Sequence, residues 1–161
     1  MGVAIYPGTF DPVTNGHLDI IKRSVHLFDQ VIIAVARDNY KNTLFSLEER
    51  VSLINSVLKD IDNVHLELFE GLTVDYCRKR GATAIIRGLR AVSDFEYEFQ
   101  MALMNKKLNE KIDTIFLMTD QKYSYISSSI IKQVAQLGGC ITGLVPEEVA
   151  SALAEKFAKD E

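Results

Sequence analysis

The chain has 161 residues, 47% of them hydrophobic and 25% charged, with a net charge of −4. That length suits one domain, residues 1–161, with room for a sizeable core. The weak negative charge argues against broad electrostatic attraction to nucleic acid or to an anionic membrane.

Strand and helix signals alternate along the chain. Val3-Ala4-Ile5-Tyr6 is a short apolar run. Leu18, Ile21, Val25 and Phe28 then recur at helical spacing. Val31 to Ala36 is continuous and rich in β-branched residues, as a strand covered on both faces should be. A polar loop follows over 37–45. Ser46-Leu47-Glu48-Glu49 matches a capping box, and Leu47, Val51, Ile54 and Leu58 supply the next helix with its apolar stripe. Residues 64–69 read as a strand and 72–80 as a short helix stopped by Gly81. Ala84-Ile85-Ile86 reads as a fourth strand, 93–109 as a long helix and 114–118 as a fifth strand. Helices close the chain at 128–137 and 146–158.

Strands separated by helices of this length predict βαβ units. The expected fold is α/β, a Rossmann-like, doubly wound, parallel five-stranded sheet with helices on both faces. Ligands in such sheets sit outside the carboxyl ends of the strands. The polar clusters all follow strands, so they should share one edge. No apolar run reaches the roughly 18 residues of a membrane span, and no signal-peptide pattern is present, so a cytoplasmic protein is expected. Cys77 and Cys140 fit no CxxC or metal spacing and are read as two buried, reduced thiols.

The densest special chemistry lies in Tyr6-Pro7-Gly8-Thr9-Phe10-Asp11-Pro12-Val13-Thr14-Asn15-Gly16-His17. Gly8 would let the backbone approach a ligand, and the two prolines stiffen the loop. Gly16 and His17 open a helix whose first amides lack intrahelical partners. Such a terminus favours anions, and a histidine beside it adds a donor. The stretch is therefore read as a holder of nucleotide phosphates. Neither G-x-G-x-x-G nor a P-loop is present.

Thr14-Asn15-Gly16-His17 resembles the (H/T)-x-G-H signature of the nucleotidylyltransferase superfamily. Ile126-Ser127-Ser128-Ser129-Ile130-Ile131-Lys132 is similar to its second signature, I-S-S-[ST]-x-x-[RK]. Between them, the segment from Ile86-Arg87-Gly88-Leu89-Arg90 to Glu98 closely resembles the phosphopantetheine adenylyltransferase family of bacterial coenzyme A synthesis. The resemblance implies a single nucleotidylyltransferase domain that joins ATP to 4′-phosphopantetheine, giving dephospho-CoA and pyrophosphate. It also implies Mg²⁺ and a homohexamer, with coenzyme A as a further candidate ligand. His17, Lys41 and Arg90 would be the catalytic groups, His17 as transition-state stabiliser. ATP contacts would fall on Thr9, Phe10, His17, Gly88, Leu89, Arg90, Glu98, and on Tyr123, Ser124, Tyr125, Ile126, Ser127, Ser128 and Ser129. Phosphopantetheine would be held by Thr9, Lys41, Thr73 and Arg87.

The chemistry fits these residue types. One phosphate oxygen must attack the α-phosphorus of ATP although both reactants are anionic, so positioning and electrostatic stabilisation carry the reaction. Mg²⁺ keeps waters and binds through substrate phosphates, so it should arrive with ATP and find no dedicated protein ligand. Lys132 keeps the charge of the signature's arginine without its fork and is left out of the site. Asp11 lies near the phosphates with no assigned role. Transfer to another phosphate acceptor, as by a cytidylyltransferase, is the enzymatic alternative, disfavoured by the 87–98 segment. A non-catalytic ATP-binding module would not need Lys41, Arg87 and His17 to converge on a second phosphate. An aminoacyl-tRNA synthetase fragment lacks its tRNA-binding extension here. In the long helix, Phe95, Tyr97, Phe99, Met101, Leu103, Met104 and Leu108 spread over more than one face. They cover either a second subunit or a thick core.

Overall fold

The structure, a computed structural model, describes residues 2–37 and 42–158. Five strands form one parallel sheet: β1 (Val3–Gly8), β2 (Gln30–Ala36), β3 (Val64–Phe69), β4 (Ala84–Leu89) and β5 (Asp113–Met118). Their order is β3-β2-β1-β4-β5. The crossovers carry α1 (Asn15–Ser24), α2 (Leu47–Leu58), α3 (Thr73–Arg80) and α4 (Val92–Leu108). A 3₁₀ turn, Gln121–Tyr123, then leads to α5 (Ser128–Gln136) and α6 (Glu147–Ala158). The sequence pattern missed that turn because three residues are too short to show a period.

Side-chain alternation along the strands builds two cores. Val31, Ile33 and Val35 of β2 face one side, where Ile20 and Ile21 of α1, Ile54 of α2, Ile131 of α5 and Leu153 of α6 complete the packing. Ile32 and Ala34 face the other, against Val74 and Cys77 of α3. Both faces of β2 are thus apolar, as its continuous β-branched run predicts. Local signals set the helix ends. Ser46 forms the expected capping box with Glu49, and Gly81 closes α3 in the left-handed conformation at φ 64°.

Two readings change, and Gly8 gains a second role. Cys77 is buried but Cys140 is exposed, and both are free thiols; no periodic apolar stripe runs through the turn that carries Cys140. β4 extends to Leu89, so Arg87 belongs to the strand itself. Gly8 makes room within the protein: a Cβ there would stand 2.9 Å from the Phe10 ring. Phe10 folds back because its φ is 51°, a left-handed value that few bulky residues adopt.

The structure of α4 removes one of the two readings left open by its sequence. None of its described side chains is buried. Tyr97, Leu103, Met104 and Leu108 are each more than half exposed. The thick-core explanation therefore fails within one chain, and the apolar positions form an uncovered surface. Exposed apolar area of this extent on one helix is more than scattered surface residues present.

Candidate active site

The sheet splits where the cleft lies. β1 pairs with β2 along all six of its residues, but with β4 only at Ala4 and Ile5. Beyond Ile5 the two central strands part. Pro7 has no N–H to give to a neighbour. Its carbonyl instead accepts a hydrogen bond from Arg87 Nη1 at 3.0 Å. The gap is the switch point of a 3-2-1-4-5 sheet, where crossovers run to opposite faces. A cleft of about 780 Å³ opens above it, bordered at the strand ends by Gly8, Ala36, Phe69, Gly88 and Thr119.

The first loop is pinned from behind. Arg50, buried on α2, donates from Nη1 to the Thr9 carbonyl at 2.8 Å. Ser128 at the start of α5 donates its hydroxyl to the Pro12 carbonyl at 2.8 Å. Thr14 caps α1, with His17 completing a capping box. The Thr14 amide donates to His17 Nδ1 at 3.0 Å. That bond assigns the lone pair to Nδ1 and the proton to Nε2. The ring packs 5.0 Å from Phe10, centroid to centroid. Burial, then the charges of Arg90 and Arg87, lower the His17 pKa from 6.5 to about 4. His17 is therefore a neutral Nε2–H donor on the cleft wall at pH 7.

This has a measurable consequence for stability. Between pH 6.5 and about 4 the unfolded chain protonates this histidine while the folded chain does not. Protons bound to the unfolded state make stability fall as pH falls through that window. Urea unfolding at pH 7 and at pH 5 should show the loss. His17→Gln should show a smaller one, because it removes this group and leaves the exposed His26 and His65. Equal losses in both proteins would remove His17 as the source.

Two arginines are ordered in the same way by α4. Arg87 makes a fork with Glu98, Nε to Oε2 at 2.8 Å and Nη2 to Oε1 at 2.6 Å. Arg90 makes a fork with Asp94, Nε to Oδ2 at 3.0 Å and Nη2 to Oδ1 at 3.2 Å. Each then gives Nη1 to a backbone carbonyl, Pro7 for Arg87 and Ile126 for Arg90. A guanidinium has five N–H donors. Three are used, so each arginine keeps two for an anion in the cleft. Asp94 and Glu98 stand four apart and so share a helix face. That four-residue spacing is the signal in the sequence that points to Asp94.

The remaining expected residues divide by position. Thr9, Phe10, Thr73, Gly88 and Glu98 border the cleft. So do Tyr123, Ile126, Ser127, Ser128 and Ser129. Ser127 caps α5 by accepting from the Ile130 amide at 3.1 Å. Leu89, Ser124 and Tyr125 lie off the lining; the Ser124 hydroxyl is turned onto the Gln121 carbonyl, and Tyr125 is exposed. Lys41 lies outside the described residues. The structure adds Tyr6, Asp11, Thr119 and Lys132 to the lining. Burial raises the Tyr6 pKa, so its phenol stays protonated. Only the fold could reveal Thr119, which enters from beyond β5. Among the described residues there is no cluster of three or more His, Cys, Asp or Glu suited to a metal ion.

Strand order spreads the contacts. β3 and β5 are the two edges of the sheet. Thr73, after β3, and residues 123–129, after β5, therefore occupy opposite ends of the cleft. His17 and Arg87 rise from its middle, beside β1 and β4. Such a site can hold two anionic molecules end to end and stabilise charge between them.

The comparisons agree with this geometry. A family model described as cytidylyltransferase-like matches residues 5–134, which identifies the chain as a nucleotidyltransferase. A candidate nicotinate-nucleotide adenylyltransferase structure from Vibrio parahaemolyticus shares the fold, with a TM-score of 0.75 at 19% identity over 99% of this chain and 96% of that one. The chain is 62% identical over 157 residues to the phosphopantetheine adenylyltransferase of Moorella thermoacetica, covering 98% of each. It is 60% identical over 159 residues to that of Caldanaerobacter subterraneus, covering 99% of each. At these identities over nearly the full length, the chain belongs to the phosphopantetheine adenylyltransferase family.

Proposed function

We propose that this protein transfers the adenylyl group of ATP to 4′-phosphopantetheine, giving dephospho-CoA and pyrophosphate in coenzyme A biosynthesis. The observation that carries the proposal is the near-full-length similarity to phosphopantetheine adenylyltransferases at about 60% identity. The cleft geometry supports it. A phosphate oxygen of the acceptor attacks the α-phosphorus in line. The bond from that phosphorus to the bridging oxygen breaks, and pyrophosphate leaves with the electron pair. No covalent enzyme intermediate is needed. His17 donates from Nε2 to the α-phosphoryl oxygens as their charge grows. Arg87 at the middle of the cleft, with Lys41 and Thr9, holds the phosphate of the acceptor, whose other end lies toward Thr73. Arg90, Glu98, Tyr123 and residues 126–129 hold ATP on the β5 side of that phosphate.

Magnesium enters on the ATP phosphates as part of the substrate. Asp11, the carboxylate of the opening loop, is already engaged by Lys132 and two amides, which supports that route. A cytoplasmic location goes with this reaction in our reading; no described helix is long and apolar enough to cross a membrane. The assay is direct. Protein, ATP, Mg²⁺ and 4′-phosphopantetheine should release pyrophosphate, and pantetheine lacking its phosphate should not. Equal release with both acceptors would reject the assignment.

The assembly we propose is a homohexamer that covers α4. Phe95 and Phe99 stack at 5.5 Å and stay exposed, as do Met101, Leu103 and Met104. Closed symmetry lets that face associate while each cleft stays open at the strand ends. Light scattering at micromolar protein should report a mass near six times 18.1 kDa. An active species of a single chain's mass would overturn it.

A further inference from the structure

We propose that Asp11 is a positioning residue that clasps three separate parts of the cleft, and that it does not bind the metal ion. The inference rests on the adenylyl-transfer reading of this cleft. Asp11 sits in the opening loop and is 4% exposed. Its Oδ2 accepts from the Leu44 amide at 3.0 Å and from Lys132 Nζ at 2.6 Å. Its Oδ1 accepts from the Phe45 amide at 2.9 Å. The three donors come from the segment before α2 and from α5, distant in sequence from the loop and from each other.

Each tie does something for the site. Phe45 is buried, and its ring lies 5.5 Å from Lys156 Nζ of α6. The 44–45 segment is therefore held on both sides, and it stands three residues after Lys41. Lys132 borders the cleft. Held on Asp11, its ammonium keeps one place in the wall. The same arrangement holds the other described cations there, Arg87 on Glu98 and Arg90 on Asp94. A buried carboxylate already paired with a cation and two amides has little capacity left for a hydrated Mg²⁺. Lys132 would have to leave before the ion could take Oδ2.

Asp11→Asn tests this, because it keeps the side-chain shape and removes the charge. Misplacing site groups by about 1 Å can cost roughly 10²-fold in rate. We expect kcat to fall by roughly that factor. KM for ATP should not rise, since one negative charge beside the triphosphate is gone. The Mg²⁺ concentration for half-maximal rate should stay unchanged. Amide hydrogen exchange at Leu44 and Phe45 should quicken without any substrate. Lys132→Met should cost much less in the Asp11→Asn background than in wild type, because coupled residues are not additive. A kcat within twofold of wild type, a shifted Mg²⁺ dependence, or equal Lys132→Met losses in both backgrounds would overturn the proposal. If Asp11→Asn does not fold, Lys132→Met alone decides. Exchange at Leu44 and Phe45 must then quicken as kcat falls; lost kcat with unchanged exchange ends the clasp. Exchange is read on the free protein, so a wild type that releases no pyrophosphate fails the transfer reading and leaves the clasp to be judged on exchange.

Discussion

His17→Ala should still bind ATP yet lose turnover by about 10²–10³-fold, the usual loss for one preorganised donor at developing charge. The motive is the locked tautomer. Thr14 occupies Nδ1, so only Nε2–H is left to donate, and the low pKa keeps the ring neutral. A neutral donor need not be stripped of a counter-ion, and its hydrogen bond strengthens as the phosphoryl oxygens gain charge. The variant also loses half of a capping box, worth roughly 0.5–2 kcal/mol. Thermal unfolding must therefore be measured beside turnover. A folded variant that binds ATP with wild-type affinity and has lost turnover fits the role. Near wild-type turnover would remove His17 from the chemistry.

Arg87→Ala should chiefly raise KM for phosphopantetheine, and Arg90→Ala should chiefly raise KM for ATP, each by roughly 10- to 100-fold. That range follows from about 1.5–3 kcal/mol for a hydrogen bond to a charged group. The division follows from their neighbours, since Arg90 reaches the Ile126 carbonyl beside the serines of α5 while Arg87 reaches the Pro7 carbonyl beside β1, and from two donors left on each guanidinium. The forks complicate the single variants. Arg87→Ala leaves Glu98 half-buried without its partner, and Arg90→Ala leaves Asp94 so. Breaking one side of a buried pair is destabilising in itself. Arg87→Ala with Glu98→Gln, and Arg90→Ala with Asp94→Asn, remove the stranded charges. Steady-state kinetics with each substrate varied in turn should keep the split in the double variants. Equal losses toward both substrates throughout would reject two separate anion sites.

The forks also refine the expected role of Glu98. The family resemblance makes it an ATP contact, and in the structure it grips Arg87. Both can hold only if the carboxylate reaches ATP while keeping its arginine. Glu98→Gln separates them: a change in KM for phosphopantetheine alone would mark Glu98 as acting through Arg87.

Much of the fold was readable because its signals are short in range. The β-branched run of β2, the capping box at Ser46, and Gly81 after α3 each act within about four residues. The motifs were readable for the same reason: Gly16-His17 and Ser127-Ser128-Ser129 each lie in one turn of chain. The alternation of strands and helices then left few arrangements, since parallel strands need right-handed crossovers.

Other features arose only when distant segments met. Asp11 and Lys132 are 121 residues apart, and nothing near either predicts their contact. Gly8 borders the cleft as its sequence suggests, but its second role, leaving room for the Phe10 ring, is seen only once the loop is folded. The 95–108 apolar positions could be core or surface, because periodicity tells which residues share a face and not what covers that face. Cys140 looked like a core thiol from composition, but burial depends on the packing of α5 and α6 around it. Local propensity and periodicity chose the elements of this protein. The crossovers that brought β1 beside β4 chose which charges would pair above their divided ends, because ion pairs and buried hydrogen bonds depend on distances that no single segment of chain contains.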